Sequence, residues 1–379
     1  MVRCTSAHVD LDALKANYRA IAGFLAEARA RRRDAPPGIL AVVKANAYGH
    51  GAARVGLALE DAGATMLACA DIEEGIELRQ AGVRTGILVF GALSVSDVSG
   101  LFEYHLTPTV STPAAGRALE AAASARGRRL GYHLKIDTGM NRLGFRHDNL
   151  DRTLPELLAS PSLQLEAVAT HFATADDLAN PLFDEQRRRF EAAAGRIQAL
   201  GGVTVARHAA NSAAIVRDER VWYDFVRPGV LLYGVVPPPL SMTLALRPVM
   251  TIHSRIVAVK GVRVGESVGY GGRFVAGRPT RLAVVPAGYA DGLDVRLGGR
   301  GAALVRGRRA PIVGAVSMDM LTIDVTGLGV ETGDQVVLLG RQGDEQIDVR
   351  EMAAAVGTVP YEVLCRVGAR IERIYNAAQ

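Results

Sequence analysis

A single lysine, Lys44, closes an apolar run that begins at Ala41, and it is followed by small residues, Tyr48 and the glycines Gly49 and Gly51 at the start of a helical stretch. A lysine at the C-terminal end of a buried parallel strand stands where α/β barrels carry out chemistry. It can form a Schiff base there if its surroundings lower its pKa or the ligand supplies an aldehyde. Alone, the pattern is shared with ordinary solvated lysines. Other residues able to do chemistry recur at comparable places: Lys135 and Asp137 with Arg142, then His171, Asn211-Ser212 and Arg227-Pro228-Gly229. Asn211, Ser212, Gly229 and Val230 offer hydroxyl and backbone N–H donors in the segments after strands seven and eight, where such barrels often bind phosphate. The residue types point to a phosphorylated ligand facing a lysine.

These residues fall at or near the ends of short apolar runs: Ile39–Lys44, Thr65–Asp71, Gly86–Phe90, Leu106–Val110, Tyr132–Asp137, Leu165–His171, Val203–Ala209 and Phe225–Tyr233. Helical patterns fill most gaps. Leu14, Tyr18, Ile21 and Leu25 make one stripe, stopped near Ala35-Pro36-Pro37-Gly38. Asp71 with Glu74 reads as a capping box opening a helix over Ile72–Gln80, and Gly82 closes it. Phe183, Phe190 and Ile197 mark another apolar face that ends at Gly201-Gly202. Repeated strand–helix units require a parallel sheet covered by helices. Eight units in about 240 residues fit a closed (β/α)8 TIM-type barrel better than an open doubly wound sheet.

Past Leu240 the texture changes to strand-like runs punctuated by glycine and proline: Thr251–Val259, Arg281–Pro286, Ala303–Arg306, Ile312–Ser317, Leu321–Val325 and Gln335–Leu339. The expected division is a barrel over residues 1–240 and a mainly β C-terminal domain over 241–379, with Pro237-Pro238-Pro239 as the linker. The opening Ser6–Val9 segment is free to pair with the β domain rather than the barrel.

Composition narrows the function classes. Hydrophobic residues are 49% of the chain, ample for a large core. The three cysteines are scattered and show neither metal spacing nor a disulfide framework. The net charge of +5 suits an anionic ligand. Basic clusters such as Arg187–Arg189 and Arg306–Arg309 lack interleaved aromatics, so no nucleic-acid partner is expected. No apolar stretch approaches the ~18 residues of a membrane span, and the first residues carry no apolar signal core. A cytoplasmic protein with no membrane partner is the expectation.

Eight segments in order, AVVKANAYGHG, LKIDTGMNRLGF, THFATAD, ANSAA, FVRPGVLLYG, VGYGGRF, PAGYADG and AVSMDM, resemble the motifs of the alanine racemases over nearly the whole chain. The resemblance implies a barrel plus β domain working as a homodimer with shared active sites and pyridoxal 5′-phosphate (PLP). It implies interconversion of L- and D-alanine, with D-alanine supplied to peptidoglycan. Lys44 would bind PLP and act as one base, and Tyr270 of the partner subunit as the other. Arg227 would donate to the pyridine nitrogen. Tyr48, Ser212, Gly229, Val230 and Tyr361 would hold the phosphate, and His171 would pack at the ring. Arg142 and the backbone of Met318 of the partner subunit would hold the substrate carboxylate. Lys135, whose counterpart is carbamylated in several relatives, would hold Arg142, and Tyr289 and Asp319 would line the approach.

The chemistry is coherent. Racemisation removes a proton from one face of a carbon and delivers one to the other, so two bases on opposite sides suffice. Ordinary lysine and tyrosine, with pKa values of about 10.4 and about 10, are poor bases at pH 7, so the site must lower both. Racemases for serine or a broad range of amino acids are the alternatives in this fold. A decarboxylase of basic amino acids would need a carboxylate where Arg227 stands.

Overall fold

The computed structural model describes residues 4–31, 34–93, 97–202 and 204–376. Eight parallel strands close into a ring: Gly38–Val42, Met66–Cys69, Gly86–Val89, Thr107–Val110, Leu130–Asp137, Leu163–Ala169, Ala206–Asn211 and Phe225–Arg227. Closure comes from Phe225 and Val226 of the eighth strand, in register with Gly38 and Ile39 of the first. Helices cover the ring, so the strands are buried on both faces and are rich in valine, leucine and isoleucine. The helix Leu11–Ala30 begins at Asp10, whose carboxylate accepts the Ala13 N–H at 2.8 Å. It buries Leu14, Tyr18, Ile21 and Leu25, the stripe read from the sequence.

Several strand ends differ from expectation, those of the first three strands by one or two residues. The seventh begins at Ala206; Val203, where it was expected to start, lies outside the described residues. The sixth stops at Ala169, which leaves His171 on the loop beyond it. The eighth stops at Arg227 rather than Tyr233, although the sequence stays apolar. There the Gly229 and Val230 carbonyls accept the N–H groups of Leu232 and Tyr233 at 2.9 and 3.1 Å, so the chain coils instead of extending.

A second core lies in a 10-stranded mixed sheet. The expected run Thr251–Val259 is two strands, Met250–Arg255 and Ala258–Val262. Ser6–Val9 does join this sheet, antiparallel to Met250–Arg255 and parallel to Glu372–Tyr375. The helices Val349–Val356 and Pro360–Cys365 interrupt the β texture, the second of them carrying Tyr361. No helix among the described residues is long and apolar enough to cross a membrane. None of their His, Cys, Asp and Glu side chains gather in groups able to hold a metal ion.

Candidate active site

Lys44 follows the first barrel strand, and the chain then turns left-handed: Ala45, Asn46, Ala47 and Tyr48 have φ of 53°, 52°, 53° and 52°. Left-handed backbone costs an L-residue roughly 1–2 kcal/mol, so four in succession persist only where their surroundings hold them. Asn46 Oδ1 accepts the Ala52 N–H at 2.7 Å, which opens the helix Ala52–Asp61. His50 Nδ1 donates to the carbonyls of Ala47 and Tyr48, 3.0 and 2.9 Å away. The Glu74 carboxylate accepts the Ala45 N–H at 2.6 Å. The C-terminal domain contributes as well: Arg373 Nε donates to the Gly49 carbonyl at 3.1 Å and the Tyr375 hydroxyl to the His50 carbonyl at 3.0 Å. A Cβ on Gly51 would fall 1.8 Å from that hydroxyl, which explains a glycine there.

Above this turn, a cavity of about 440 Å³ opens over the C-terminal ends of the barrel strands. Lys44, Tyr48, Lys135, Arg142, His171, Asn211, Ser212, Arg227, Gly229 and Tyr361 all line it. Burial, then the charge of Arg142, pushes the Lys44 amine below its ordinary value, with Cys365 and Glu74 opposing. Lys135 is driven down further, by burial and then by Arg227 and Arg142. Asp137 accepts the N–H groups of Gly139 and Asn141 at 3.0 Å each, which shapes the loop after the fifth strand.

Arg227 is 5% exposed, and no carboxylate is among its hydrogen-bond partners. It donates to the carbonyls of Thr170 and Ala209 at 2.8 and 2.9 Å, to His208 Nδ1 at 2.9 Å and to His171 Nδ1 at 3.2 Å. Burial lowers its pKa to about 10, so it stays a cation at neutral pH. Arginine only donates, so His208 presents a lone pair at Nδ1 and carries its proton on Nε2. That proton goes to His133 Nδ1, 3.0 Å away. A one-way chain of hydrogen bonds, Arg227 to His208 to His133, thus sets the guanidinium beneath the cavity. Burial and Arg227 hold both imidazoles neutral.

Two residues beyond Arg227, the Gly229 N–H donates to Ser212 Oγ at 2.9 Å. A Cβ on Gly229 would come within 2.4 Å of the Tyr48 hydroxyl. Two hydroxyls and a bare Cα therefore make a polar cradle. Tyr361 faces Tyr48 with ring centroids 6.5 Å apart, and burial and Asp176 push its pKa up to about 12. Asn211 caps the short helix Ser212–Arg217, accepting the Ala214 N–H at 2.9 Å. The Val230 side chain is buried in the second core.

Tyr270, Met318, Tyr289 and Asp319 are not brought to this cavity. Tyr270 sits in the turn between Ser267–Val268 and Phe274–Val275 and is 77% exposed. Met318 and Tyr289 are exposed too, and Asp319 pairs with Arg370 at 2.5 Å. Sequence reasoning overlooked His133 and His208, although His133 shares the inward period of two with Lys135. Cys365, at the end of the short helix Pro360–Cys365, lines the cavity as well.

The neutral buried histidines have a consequence for stability. Burial is the main reason that His50 and His133 are lowered to about 4 from 6.5. The unfolded chain takes up these protons first. Stability is therefore full above pH 6.5, falls as pH drops through the window from 6.5 to 4, and levels below it. Each group accounts for about 3 kcal/mol by the bottom of the window. Urea unfolding, followed by fluorescence of the sole tryptophan, the buried Trp222, should show this fall. A midpoint unchanged between pH 7 and 5 would show that the two imidazoles are not held neutral.

A closed parallel barrel with a lysine and a basic mouth at its strand ends, followed by a β domain, defines a class of two-domain barrel protein whose site suits an anionic ligand. Residues 9–237 match the family described as alanine racemase, N-terminal domain, and residues 249–375 match alanine racemase, C-terminal domain. The chain belongs to the alanine racemase family. It is 39% identical to the alanine racemase of Symbiobacterium thermophilum over 99% of this chain and 98% of that protein. It is 41% identical to that of Sorangium cellulosum over 99% of this chain and all of the relative. The alanine racemase structure from D-cycloserine-producing Streptomyces lavendulae superposes with a TM-score of 0.93 at 34% identity, covering 100% of this chain and 98% of that one. The alanine racemase structure from Bacillus anthracis with bound L-Ala-P gives 0.87 at 35% identity, covering 100% and 96%. The activity is that of the family, racemisation of alanine.

Proposed function

We propose that the cavity takes PLP on Lys44 and racemises alanine between two bases, Lys44 and Tyr270 of the partner subunit. One observation carries this reading: four basic residues, Lys44, Lys135, Arg142 and Arg227, line a cavity in which, among the described residues, Asp137 alone is acidic. Such a site wants an anion. The Tyr48, Ser212 and Gly229 cradle suits the phosphate, with Asn211, Val230 and Tyr361 beside it. Arg227, which can only donate, suits an unprotonated ring nitrogen, and His171 packs at the ring. Bound PLP supplies an aldehyde for covalent capture and an electron sink that acidifies the substrate Cα–H.

The remaining steps belong to the chain's own residues. A lowered amine lets Lys44 give up its proton and so serve both as the group that would hold PLP and as a base on one face of the carbon. Tyr270 of the partner subunit serves the other face, so the working unit is a homodimer. Arg142 and the Met318 backbone of the partner subunit hold the carboxylate. Burial and the neighbouring arginines drive the Lys135 amine down, toward the form that carbon dioxide carbamylates, and the resulting anion would hold Arg142. Tyr289 and Asp319 line the approach. The L-Ala-P of the Bacillus anthracis structure fits the choice of an alanine-sized substrate. We place the enzyme in the cytoplasm, supplying D-alanine for peptidoglycan. Proton NMR of L-alanine with PLP-loaded protein in D₂O, followed by chiral analysis, tests the reading. Loss of the Cα–H signal with accumulating D-alanine is expected. Inert alanine together with washout from serine would shift the substrate, and release of carbon dioxide from lysine or arginine would replace the reading with a decarboxylase.

A further inference from the structure

The Asp71–Glu74 pair has the spacing of a capping box, yet only half of one forms. Asp71 Oδ1 accepts the Glu74 N–H at 2.9 Å and caps the helix Ile72–Gln80. The Glu74 carboxylate turns the other way. One oxygen accepts the Ala45 N–H at 2.6 Å and the other the Ala70 N–H at 2.7 Å. Ala70 directly follows the second barrel strand, and Ala45 directly follows Lys44. One carboxylate thus ties together the peptides that leave two neighbouring strands.

We propose that Glu74 is a positioning residue for Lys44, strapping the peptide after the lysine to the end of the second strand. The inference rests on the reading that Lys44 carries PLP. The Ala45 N–H belongs to the peptide that leaves Lys44, so its direction is set by the torsion about the lysine's own Cα–C bond, immediately before the first of the four left-handed residues. Rotating that peptide would break the bond to Glu74 and shift the lysine's main chain relative to the left-handed turn. Bonds to an ionised acceptor are the strong ones, and this one acts where the backbone is most strained. The other holds on the turn, from Asn46, His50, Arg373 and Tyr375, act at its far end. Glu74 is the side chain that grips the end carrying the lysine, beside the main-chain bond from the Val43 N–H to the Ala68 carbonyl at 2.8 Å. Its charge also acts on the Lys44 amine, opposing Arg142.

The test uses PLP-loaded Glu74→Gln and Glu74→Asp, with Glu73→Gln as a control for the loss of one charge in the same helical turn. Glutamine keeps the length but turns an amide NH₂ on one of the two N–H groups. Glu74→Gln is expected to bind PLP about tenfold more weakly, the scale of one charged hydrogen bond. Its kcat should fall in step while KM for alanine and the melting temperature stay near those of the parent. Glu74→Asp, one methylene short, reaches only one N–H and should fall between. Unchanged PLP affinity and kcat in Glu74→Gln would overturn the proposal, as would full recovery in Glu74→Asp, since charge alone would then suffice. If Glu74→Gln does not fold, Glu74→Asp decides in the same way. Amide hydrogen exchange in the parent protein gives an independent reading. The Ala45 residue is exposed, so protection of its amide has no burial to explain it; rapid exchange would mean that no strap exists. Lys44→Ala separates the two levels. If it still forms a covalent PLP adduct, the reading of the lysine falls, and hydrogen exchange judges the strap by itself.

Discussion

Replacing Lys44 with alanine is expected to abolish covalent capture of PLP and to lower racemisation by at least about 10³-fold, the combined loss of a covalent anchor and a base. The fold should survive, because Lys44 belongs to neither hydrophobic core and its side chain is open to the cavity. Borohydride reduction of the PLP-loaded protein followed by peptide mapping checks this directly. The chain has only four lysines, Lys15, Lys44, Lys135 and Lys260, so the map is short. Lys135 is the competitor to watch, since it lines the same cavity and its amine is driven lower still. A reduced adduct on Lys135 in the parent protein would reverse the assignment.

A second large effect is expected at a residue that the single chain keeps away from the site. Tyr270→Phe should cost ~10²–10⁴ in rate, the range for one general base. Tyr270 projects from a hairpin turn and does not line the cavity with Lys44. If it is the second base, another copy must supply it. Two inactive variants, Lys44→Ala and Tyr270→Phe, should then rescue each other. In a mixed dimer with isologous shared sites, one site collects both substitutions and the other collects none. Random assembly from equal amounts should recover about a quarter of the parent activity. No recovery, despite mass-spectrometric proof of mixed dimers, would mean that Tyr270 acts within its own chain or not at all.

Much of the barrel was legible because a buried parallel strand is a short apolar run, and Leu40, Leu67, Leu88 and Val168 are each 0% exposed on such runs. The site residues on those strands came with them: Lys135 and Arg227 stand at strand ends, as the fold demands. What the sequence hid depends on partners distant along the chain. The apolar Val230–Tyr233 reads as strand, but hydrogen bonding coils it. Nothing in Ala45, Asn46, Ala47 and Tyr48 announces left-handed backbone, because none is glycine. The tension is absorbed by Glu74, Arg373 and Tyr375, which no local pattern links to Lys44. Glu74 was seen, but its spacing from Asp71 suggested a local role that the carboxylate does not take up.

The hold of Arg373 and Tyr375 on the loop after Lys44 also sets an order of manufacture. The ribosome makes His50 long before Tyr375, which follows 325 residues later. Earlier domains generally fold first during synthesis. The barrel therefore closes on its own core while the loop beside its lysine still lacks the two side chains that finish it. Until Arg373 and Tyr375 have been made, the loop beside Lys44 lacks both of these holds. The lysine's surroundings are complete only when Glu372–Tyr375 is laid against Ser6–Val9.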